Sequence, residues 1–278
     1  MTTRLQRDFG TATNNKIFTV SVWIKKNKIG NTHTILCGSG SSHARPTPEF
    51  ILGSLGQISF FSYNGSDYDI QLDSNAKYRD INGWYHLVMA VDTTQATASN
   101  RIKFYMNGEQ VTSLNNTTYP SQNLVCGMNN NVPHCIGGST FGSYGGGNND
   151  CIMSHFHFID GIAYTPSAFG ETDATTGEWK IKTNVSVTYG NNGFFILKDG
   201  TSVTDQSGNN NNFTVGTGSL NKTEDCPSNV FCTMNSLSKG SNISMSHGNT
   251  TVSNGSSDNS VLGTIAPANG KYYWEAKC

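Results

Sequence analysis

The sequence predicts an all-β protein built as a two-sheet sandwich or jelly roll, and three observations support this fold class. Apolar and polar residues alternate along short segments of the chain. Most of these segments begin and end at Gly, Asn or Ser, and no 3.6-residue hydrophobic period persists. Only 13% of the 278 residues are charged, whereas Asn, Ser, Thr and Gly are abundant, a composition that favours turns and short strands over long helices.

The first long predicted strand lies in KIFTVSVWIKK, where Phe18, Val20 and Val22 fall on one face of an extended chain. Shorter β segments follow in HTILCG, EFILGS, QISFFSY and DYDIQL. In GWYHLVMAVD, apolar residues occupy both faces from Tyr85 to Val91, which is typical of a central strand covered on both sides.

A hairpin is predicted in RIKFYMNGEQV, because apolar alternation is followed by Asn107-Gly108, two residues that tolerate positive φ. Further strands are predicted near PHCIGG and in CIMSHFHFIDGIAY. From these alternations we expect the core to include Phe18, Val20, Val22, Leu87, Phe104, Phe156 and Phe158.

The texture of the sequence changes after about Thr165, where alternation weakens and Pro and Gly become frequent. We therefore predict a jelly-roll sandwich over residues 1–165, a connector with short strands over 166–236, and the incomplete start of a second β domain over 237–278. The final stretch KYYWEAKC alternates like a strand, and the strands beyond Asn242 are too few to close a two-sheet domain. We expect the native polypeptide to continue past Cys278.

Charge and composition exclude several classes of protein. The net charge of −1 provides no basic field for nucleic acid. The N-terminus lacks an apolar stretch of signal-peptide length and no run of about 18 apolar residues occurs, so we expect neither export nor membrane insertion. Seven cysteines without a CxxC pair argue against a zinc ribbon and against a complete disulfide framework.

Two histidine groupings have to be weighed as chemical sites. His155 and His157 alternate on one predicted strand face in phase with Cys151, a pattern that can bind zinc, but no third or fourth ligand is suitably spaced. His86 and Asp92 are not accompanied by a nucleophile elbow. We expect no metal site, and we expect His86 to be a buried or hydrogen-bonded strand histidine.

Three carboxylates in ETDATTGE resemble superficially the acid and nucleophile pair of a sandwich-fold glycosidase. In those enzymes the carboxylates alternate along an apolar strand that directs them into one cleft, whereas Glu171, Asp173 and Glu178 lie among Thr, Ala and Gly in a predicted loop. No catalytic residue is therefore predicted.

Two tracts, SYGGGNND and DQSGNNNN, combine Gly flexibility with amide and carboxylate oxygens, although ordinary surface turns have the same composition. In the first tract, Tyr144 could stack on a sugar ring while Asn148, Asn149 and Asp150 hydrogen-bond its hydroxyls. These four residues are the predicted glycan-binding site. No cofactor is predicted, although such oxygens could coordinate Ca²⁺.

The chain also resembles a known family through several longer strings: WYHLVMAVDTTQATASNRIKFYMNGEQVTS, HFIDGIAYTPSAFGETDATTGEW, YGNNGFFILKDG, DQSGNNNNFT and DCPSNVFCTMN. In this order, across residues 4–236, they resemble virion structural proteins of tailed phages, many of them marine, that carry a laminin-G/concanavalin A-like lectin fold. NGKYYWEAK resembles the opening of a SPRY-type domain.

The resemblance implies a non-enzymatic fibre, spike or decoration protein on the exterior of a virus particle, made in the host cytoplasm. The implied partners are other virion structural proteins, further copies of the chain and host surface glycans. The high cysteine count and the His155 tract depart from the family and leave a secreted carbohydrate-binding or adhesion module as an alternative. A glycan hydrolase or lyase is a third.

Overall fold

The computed structural model describes residues 3–38, 47–138, 149–198, 200, 202–255 and 259–277, and its regular structure is almost entirely strand. This confirms the predicted all-β class. Within those ranges the helical structure consists of three short 3₁₀ turns, at Ala98–Asn100, Gly127–Asn129 and Pro166–Ala168. No helix in them is long and apolar enough to cross a membrane.

The strands, in chain order, are β1 (Arg4–Asp8), β2 (Ile17–Lys26), β3 (His33–Gly38), β4 (Thr47–Leu52), β5 (Ile58–Tyr63), β6 (Tyr68–Ser74), β7 (Tyr85–Asp92), β8 (Ile102–Met106), β9 (Glu109–Val111) and β10 (Leu114–Thr118). They continue with β11 (Pro133–Ile136), β12 (Cys151–Asp160), β13 (Gly170–Thr172), β14 (Trp179–Ile181), β15 (Phe194–Ile196), β16 (Thr214–Thr217), β17 (Met234–Lys239), β18 (Ile243–Ser246), β19 (Thr251–Asn254) and β20 (Val261–Gly263).

Two antiparallel sheets form the sandwich. The larger has the strand order β10-β6-β5-β4-β3-β11-β1-β16, and the smaller has the order β15-β12-β2-β7-β8-β9. The predicted hairpin joins β8 to β9, with Asn107 and Gly108 at φ 49° and 87°. A Cβ on Gly108 would lie 2.6 Å from the ring of Trp179, so this position requires glycine for its space as well as its backbone.

The core lies between the two sheets and confirms the seven core residues predicted from alternation. All seven are at most 2% exposed and belong to one hydrophobic cluster. Aromatic rings join the layers: Phe50 of the larger sheet stacks on Phe104 of the smaller sheet at 6.0 Å between ring centroids. Such burial of apolar surface is the main favourable contribution to folding.

The outer face of the smaller sheet is also covered, as predicted from the apolar residues on both faces of β7. Val88 on this face packs with Ile159 and Phe169, and Trp23 packs with Trp84 and Ile181. Phe169 and Ile181 belong to the segment after residue 165, which folds back over the sheet.

Residues beyond 165 contribute strands to both sheets. β15 pairs with β12 in the smaller sheet, and β16 pairs with β1 in the larger one. Each covers the edge of a strand that would otherwise leave its backbone groups unpaired. The sandwich therefore extends past the predicted boundary at residue 165 and takes two strands from the segment assigned as a connector.

The C-terminal residues form two small two-stranded sheets, β17 with β20 and β18 with β19. The strand predicted in the final stretch is wrong for its described part, because residues 271–277 have no strand assignment. Tyr273 and Trp274 there are 83% and 81% exposed. Good alternation alone does not make a strand when no neighbouring strand accepts its hydrogen bonds.

Candidate functional site

A cleft of about 580 Å³, which we call the end cleft, opens at one end of the sandwich, between strand ends of the two sheets and the turn that joins β18 to β19. Among the described residues, its lining combines apolar side chains with amides, hydroxyls, an imidazole and one carboxylate. The lining consists of Thr3, Leu5, Asn27, Ile136, Gly137, Asn149, Asp150, Cys151, Ile152, Met153, Leu197, Gly200, Ser219, Leu220, Asn221, Thr223, Met245, Ser246, His247 and Gly248.

Asn27, which follows the end of β2, holds the parts of this cleft together. Its backbone N–H donates to the carbonyl of Asp150 at 3.0 Å. Its own carbonyl accepts hydrogen bonds from Ser236 Oγ at 2.6 Å and from Asn249 Nδ2 at 2.8 Å. The C-terminal hairpin is thus attached to the rim of the sandwich by hydrogen bonds that span more than 200 residues of sequence.

The turn before Asn249 approaches the sheet closely. Gly248 has φ 66°, and a Cβ there would lie 2.5 Å from Cδ1 of Ile152. Glycine therefore allows the turn to reach the mouth of the cleft, where His247 and Ser246 are exposed to solvent.

Two of the four predicted glycan-binding residues line this cleft, and the other two, Tyr144 and Asn148, lie outside the described residues. The Asn149 amide is committed to the fold: its Oδ1 accepts from the N–H of Thr34 at 2.8 Å and its Nδ2 donates to the same residue's carbonyl at 3.3 Å. The Asp150 carboxylate contacts Lys28 Nζ at 2.7 Å and Asn27 Nδ2 at 3.2 Å. The four-residue site stays a prediction.

Sequence reasoning missed the other half of the cleft. Asn221, Thr223 and residues 245–248 reach it only through the long-range packing of the C-terminal segment. No local motif marks them, since each lies in an ordinary polar turn or strand end.

The in-phase grouping of His155 and His157 with Cys151 is wrong. A β-bulge lies between Ser154 and His157, and His155 has φ 49°. The bulge reverses the alternation, so that Cys151 lies on the core side opposite Lys26 while His157 lies on the outer side opposite Ser21. Among the described residues no group of three His, Cys, Asp or Glu side chains is arranged to hold a metal ion.

His86 is a hydrogen-bonded strand histidine, as predicted. Its Nε2 lies 2.9 Å from Ser21 Oγ, and its Nδ1 accepts from the indole N–H of Trp179 at 3.0 Å. Burial lowers the pKa of His86 to about 3, so the ring is neutral near pH 7. Asp92 is not part of a triad with it, because its carboxylate accepts from Thr94 and Gln95 in the next turn.

The carboxylates of ETDATTGE stabilise the β13–β14 hairpin. Glu171 lies 3.7 Å from Lys180 Nζ, and Asp173 lies 3.0 Å from the same ammonium. Asp173 Oδ1 also accepts from the N–H groups of Thr175 and Thr176 at 2.9 Å. The hydrogen bond from Thr176 and then Lys180 lower the pKa of Asp173, so this carboxylate is ionised at all ordinary pH values.

In the second Asn-rich tract, DQSGNNNN, side chains hydrogen-bond to neighbouring backbone and side-chain groups. Asp205 accepts from the N–H groups of Phe195, Ser207 and Asn211 at 2.8 to 2.9 Å and from Ser207 Oγ at 2.7 Å. Asn211 Nδ2 donates to the carbonyls of Asn191 and Gly193. These polar groups satisfy one another, and this explains the composition of the tract without a ligand.

Comparison with known proteins gives one family match. The model of a laminin-G domain family, described as the concanavalin A-like lectin/glucanases superfamily, matches residues 4–146. A search of curated protein sequences gives no match.

Several solved structures are similar at low identity. A protein from Bacteroides ovatus, provisionally described as carbohydrate-binding, has a TM-score of 0.48 at 13% identity, over 80% of this chain and 60% of its own. A heptameric SAP-like pentraxin from Limulus polyphemus has a TM-score of 0.40 at 16% identity, over 59% of this chain and 71% of its own. Domains LG4-5 of the mouse laminin α1 chain have a TM-score of 0.38 at 10% identity, over 73% and 47%.

Proposed function

The chain belongs to the concanavalin A-like lectin/glucanases superfamily, and from this premise we propose that it is a non-enzymatic lectin-like protein that binds a glycan in the end cleft. The observation that carries the proposal is the chemistry of that cleft. Its volume of about 580 Å³ suits one or two sugar rings, since small-molecule sites commonly measure about 300 to 1,000 Å³.

The lining supplies the two kinds of contact that a sugar needs. Leu220, Met245 and Ile152 offer apolar surface for the C–H face of a ring, while Asn221 and His247 offer donors and acceptors for hydroxyls. Asn221 and His247 are exposed on the rim, so they meet a ligand without first breaking the contacts that hold the sandwich together.

The arrangement of carboxylates supports binding without hydrolysis. A glycosidase requires two carboxylates that flank the scissile bond, about 5 to 9.5 Å apart. The described residues that line the end cleft include one carboxylate, Asp150, and it is already paired with Lys28. Glu171, the residue on which a hydrolase hypothesis would rest, lies instead on the rim of a separate cavity with Pro227 and Ser228.

We further propose that the protein is displayed on the exterior of a virus particle as a fibre, spike or decoration protein, made in the host cytoplasm. The support is the resemblance of the long strings in residues 4–236 to tailed-phage virion proteins, together with the low charge. Its partners would be other virion proteins and further copies of itself, and the glycan would belong to the host surface.

The secreted alternative makes different demands on two groups. Cys226 and Cys232 are free thiols, whereas an export pathway would favour a bridge between them. Asn249 belongs to an Asn-x-Ser/Thr sequon, but it is 7% exposed and its Nδ2 holds the carbonyl of Asn27. A glycan on Asn249 would break that contact.

A glycan array tests the binding proposal. We expect the purified chain to bind a defined subset of glycans, with affinity reduced about tenfold or more by Asn221→Ala and by His247→Ala, since each removes hydrogen bonds worth about 1 to 2 kcal/mol. Tyr144→Ala tests the predicted aromatic contact in the same assay. Gln110→Ala, an exposed change in β9, is the matched control and should bind normally.

Two results would overturn these proposals. Glycan binding that survives both cleft substitutions would place the site elsewhere. For the viral role, mass spectrometry and antibody labelling of purified particles should find the chain on their surface. Its absence from particles would favour the hypothesis of a secreted carbohydrate-binding module.

A further inference from the structure

Beside the cleft, Lys26 at the end of β2 and His33 at the start of β3 point between the two sheets. Residues directly opposite each other in an antiparallel pair share a face. Lys26 is opposite Cys151, which packs against the core, and His33 is opposite Leu52, which is a core residue. One side chain therefore enters the interlayer space from each sheet.

Both side chains are buried without a hydrogen-bond partner. Lys26 and His33 are each 0% exposed, yet Lys26 Nζ and both ring nitrogens of His33 have no partner among the described residues. Nearly all buried polar groups in folded proteins are satisfied, and a buried ammonium in particular needs a counter-charge.

The surrounding charges do not supply that counter-charge. Arg79 is a further cation that acts on Lys26, and Lys28 is a further cation that acts on His33. Asp150 is the carboxylate that acts on His33. Asp150 is already bonded to Lys28 at 2.7 Å. The preceding residue, by contrast, has a counter-charge, since the buried ammonium of Lys25 lies 2.7 Å from the carboxylate of Asp225.

The two groups have complementary donors. Burial and then the Lys26 ammonium lower the pKa of His33 to about 4, so at neutral pH its ring has one N–H donor. The ammonium of Lys26 has three N–H donors and no acceptor. An oxyanion would accept from both and would neutralise the local excess of positive charge.

We propose that Lys26 and His33 form a binding site for one small oxyanion, a carboxylate, sulfate or phosphate group, held between the ends of the two sheets. Cys151, opposite Lys26, also lines the end cleft, so the group could belong to a free anion or to an acidic sugar seated in the cleft. The chemistry at Lys26 is the same in both cases.

The test titrates the full 278-residue chain with sodium sulfate, phosphate or acetate in HEPES buffer at constant ionic strength, because the HEPES sulfonate is too bulky for a buried site. The ring nitrogens of His33, followed by NMR, should shift saturably with one-to-one stoichiometry for at least one of these anions or for glucuronate. Lys26→Met should weaken that binding at least tenfold and Lys26→Arg should largely retain it. Lys222→Met, a lysine whose side chain is 60% exposed and faces Glu224, should leave it unchanged.

Glucuronate and glucose separate the two sources. Saturation by sulfate, phosphate or acetate supports a free anion, and saturation by glucuronate alone supports an acidic sugar. An equal response to glucose, or shifts that stay linear and identical in Lys26→Met, overturns the site. Should Lys26→Met not fold, His33→Gln followed by calorimetry decides, since retained affinity there contradicts the proposal.

This inference does not rest on the proposed glycan binding. Sulfate binding that persists in a chain without glycan affinity would remove the proposed function alone. Glycan binding that is unchanged in Lys26→Met, with no saturable response to any anion, would remove the anion site alone.

Discussion

The two ends of the sandwich differ in how completely their buried polar side chains are hydrogen-bonded. β2 and β12 run side by side from one end to the other, so their first and last pairs identify the ends. We call the end with Asp160 and Asn192 the closed end, and the end with Lys26 and His33 the open end.

At the closed end the Asp160 carboxylate is 1% exposed, and each of its oxygens accepts two hydrogen bonds. Its Oδ2 accepts from the N–H groups of Thr13 at 2.7 Å and Asn192 at 3.0 Å, and its Oδ1 accepts from the N–H of Asn14 at 3.1 Å and Asn129 Nδ2 at 2.7 Å. At the open end, Lys26 and His33 have no partner among the described residues. Fully hydrogen-bonded polar networks stabilise a fold, while an unsatisfied buried group in a native protein requires an explanation such as a bound ion or a functional role.

The largest effect should come from the closed end. Asp160→Ala leaves four buried or half-buried donors unsatisfied and should lower the free energy of unfolding by about 5 kcal/mol. Urea denaturation at pH 7 measures this. Asp8→Ala, an exposed aspartate at the end of β1, is the control and should change stability by less than about 0.5 kcal/mol. A loss below about 1 kcal/mol for Asp160→Ala would mean that the two ends do not differ as described.

Adjacent lysines provide the second comparison. Lys25→Met leaves the buried carboxylate of Asp225 without its partner and should cost about 3 kcal/mol. Lys26→Met removes a buried charge that has no partner, so it should be neutral or stabilising by about 1 kcal/mol in anion-free buffer. Both variants are compared by the same urea denaturation. Equal losses for the two lysines would contradict the assignment of Lys26 to an unsatisfied site.

Lowering the pH should reduce the stability of the fold through protonation of His33 at the open end. The pKa of His33 is lowered in the folded state to about 4 from an ordinary value of 6.5, so the unfolded chain binds the proton first. The stability that neutral His33 contributes is complete above pH 6.5 and is lost as the pH falls towards 4, by about 2 to 3 kcal/mol. Lys26, Lys28 and Asp150 are the charges that set this window.

The measurement is the stability of wild type and His33→Gln between pH 7 and 4. The variant should show a shallower loss, by the amount assigned to His33, whereas His247→Gln, an exposed control, should follow wild type. A bound anion would stabilise the charged ring, so saturating sulfate should also flatten the wild-type curve. Parallel curves for wild type and His33→Gln would show that the other buried histidines account for the acid sensitivity.

The parts of the fold that depend on local alternation could be predicted from the sequence. Phe18, Val20 and Val22 lie in a strand whose period of two already identifies the core face. The bulge at His155 could not be predicted, because a non-glycine residue at φ 49° is imposed by the neighbouring strands and by no local pattern. The joining of β15 and β16 to distant strands is similarly a long-range result.

The candidate site was only half accessible to sequence reasoning for the same reason. Asn149 and Asp150 were identified by composition, but residues 245–248, about 100 positions later, complete the cleft. Lys25 and Lys26 were least predictable. Two lysines at a strand end ordinarily indicate exposure. Here they are buried because the opposite sheet and the segment around Asp225, both distant in sequence, cover them.

The smallest effect concerns the charge pair at the rim of the open end. Lys28 and Asp150 are 2.7 Å apart, but their side chains are 50% and 36% exposed, so water and salt screen the attraction. Lys28→Met should therefore change the free energy of unfolding by no more than about 0.5 kcal/mol. The same substitution frees the Asp150 carboxylate, which acts on His33, and should raise the pKa of His33 measured by NMR. Lys222→Met, which breaks the exposed pair with Glu224, should leave the pKa of His33 unchanged. A large loss of stability in Lys28→Met with no change at His33 would show that the pair holds the rim together and does not tune the buried site.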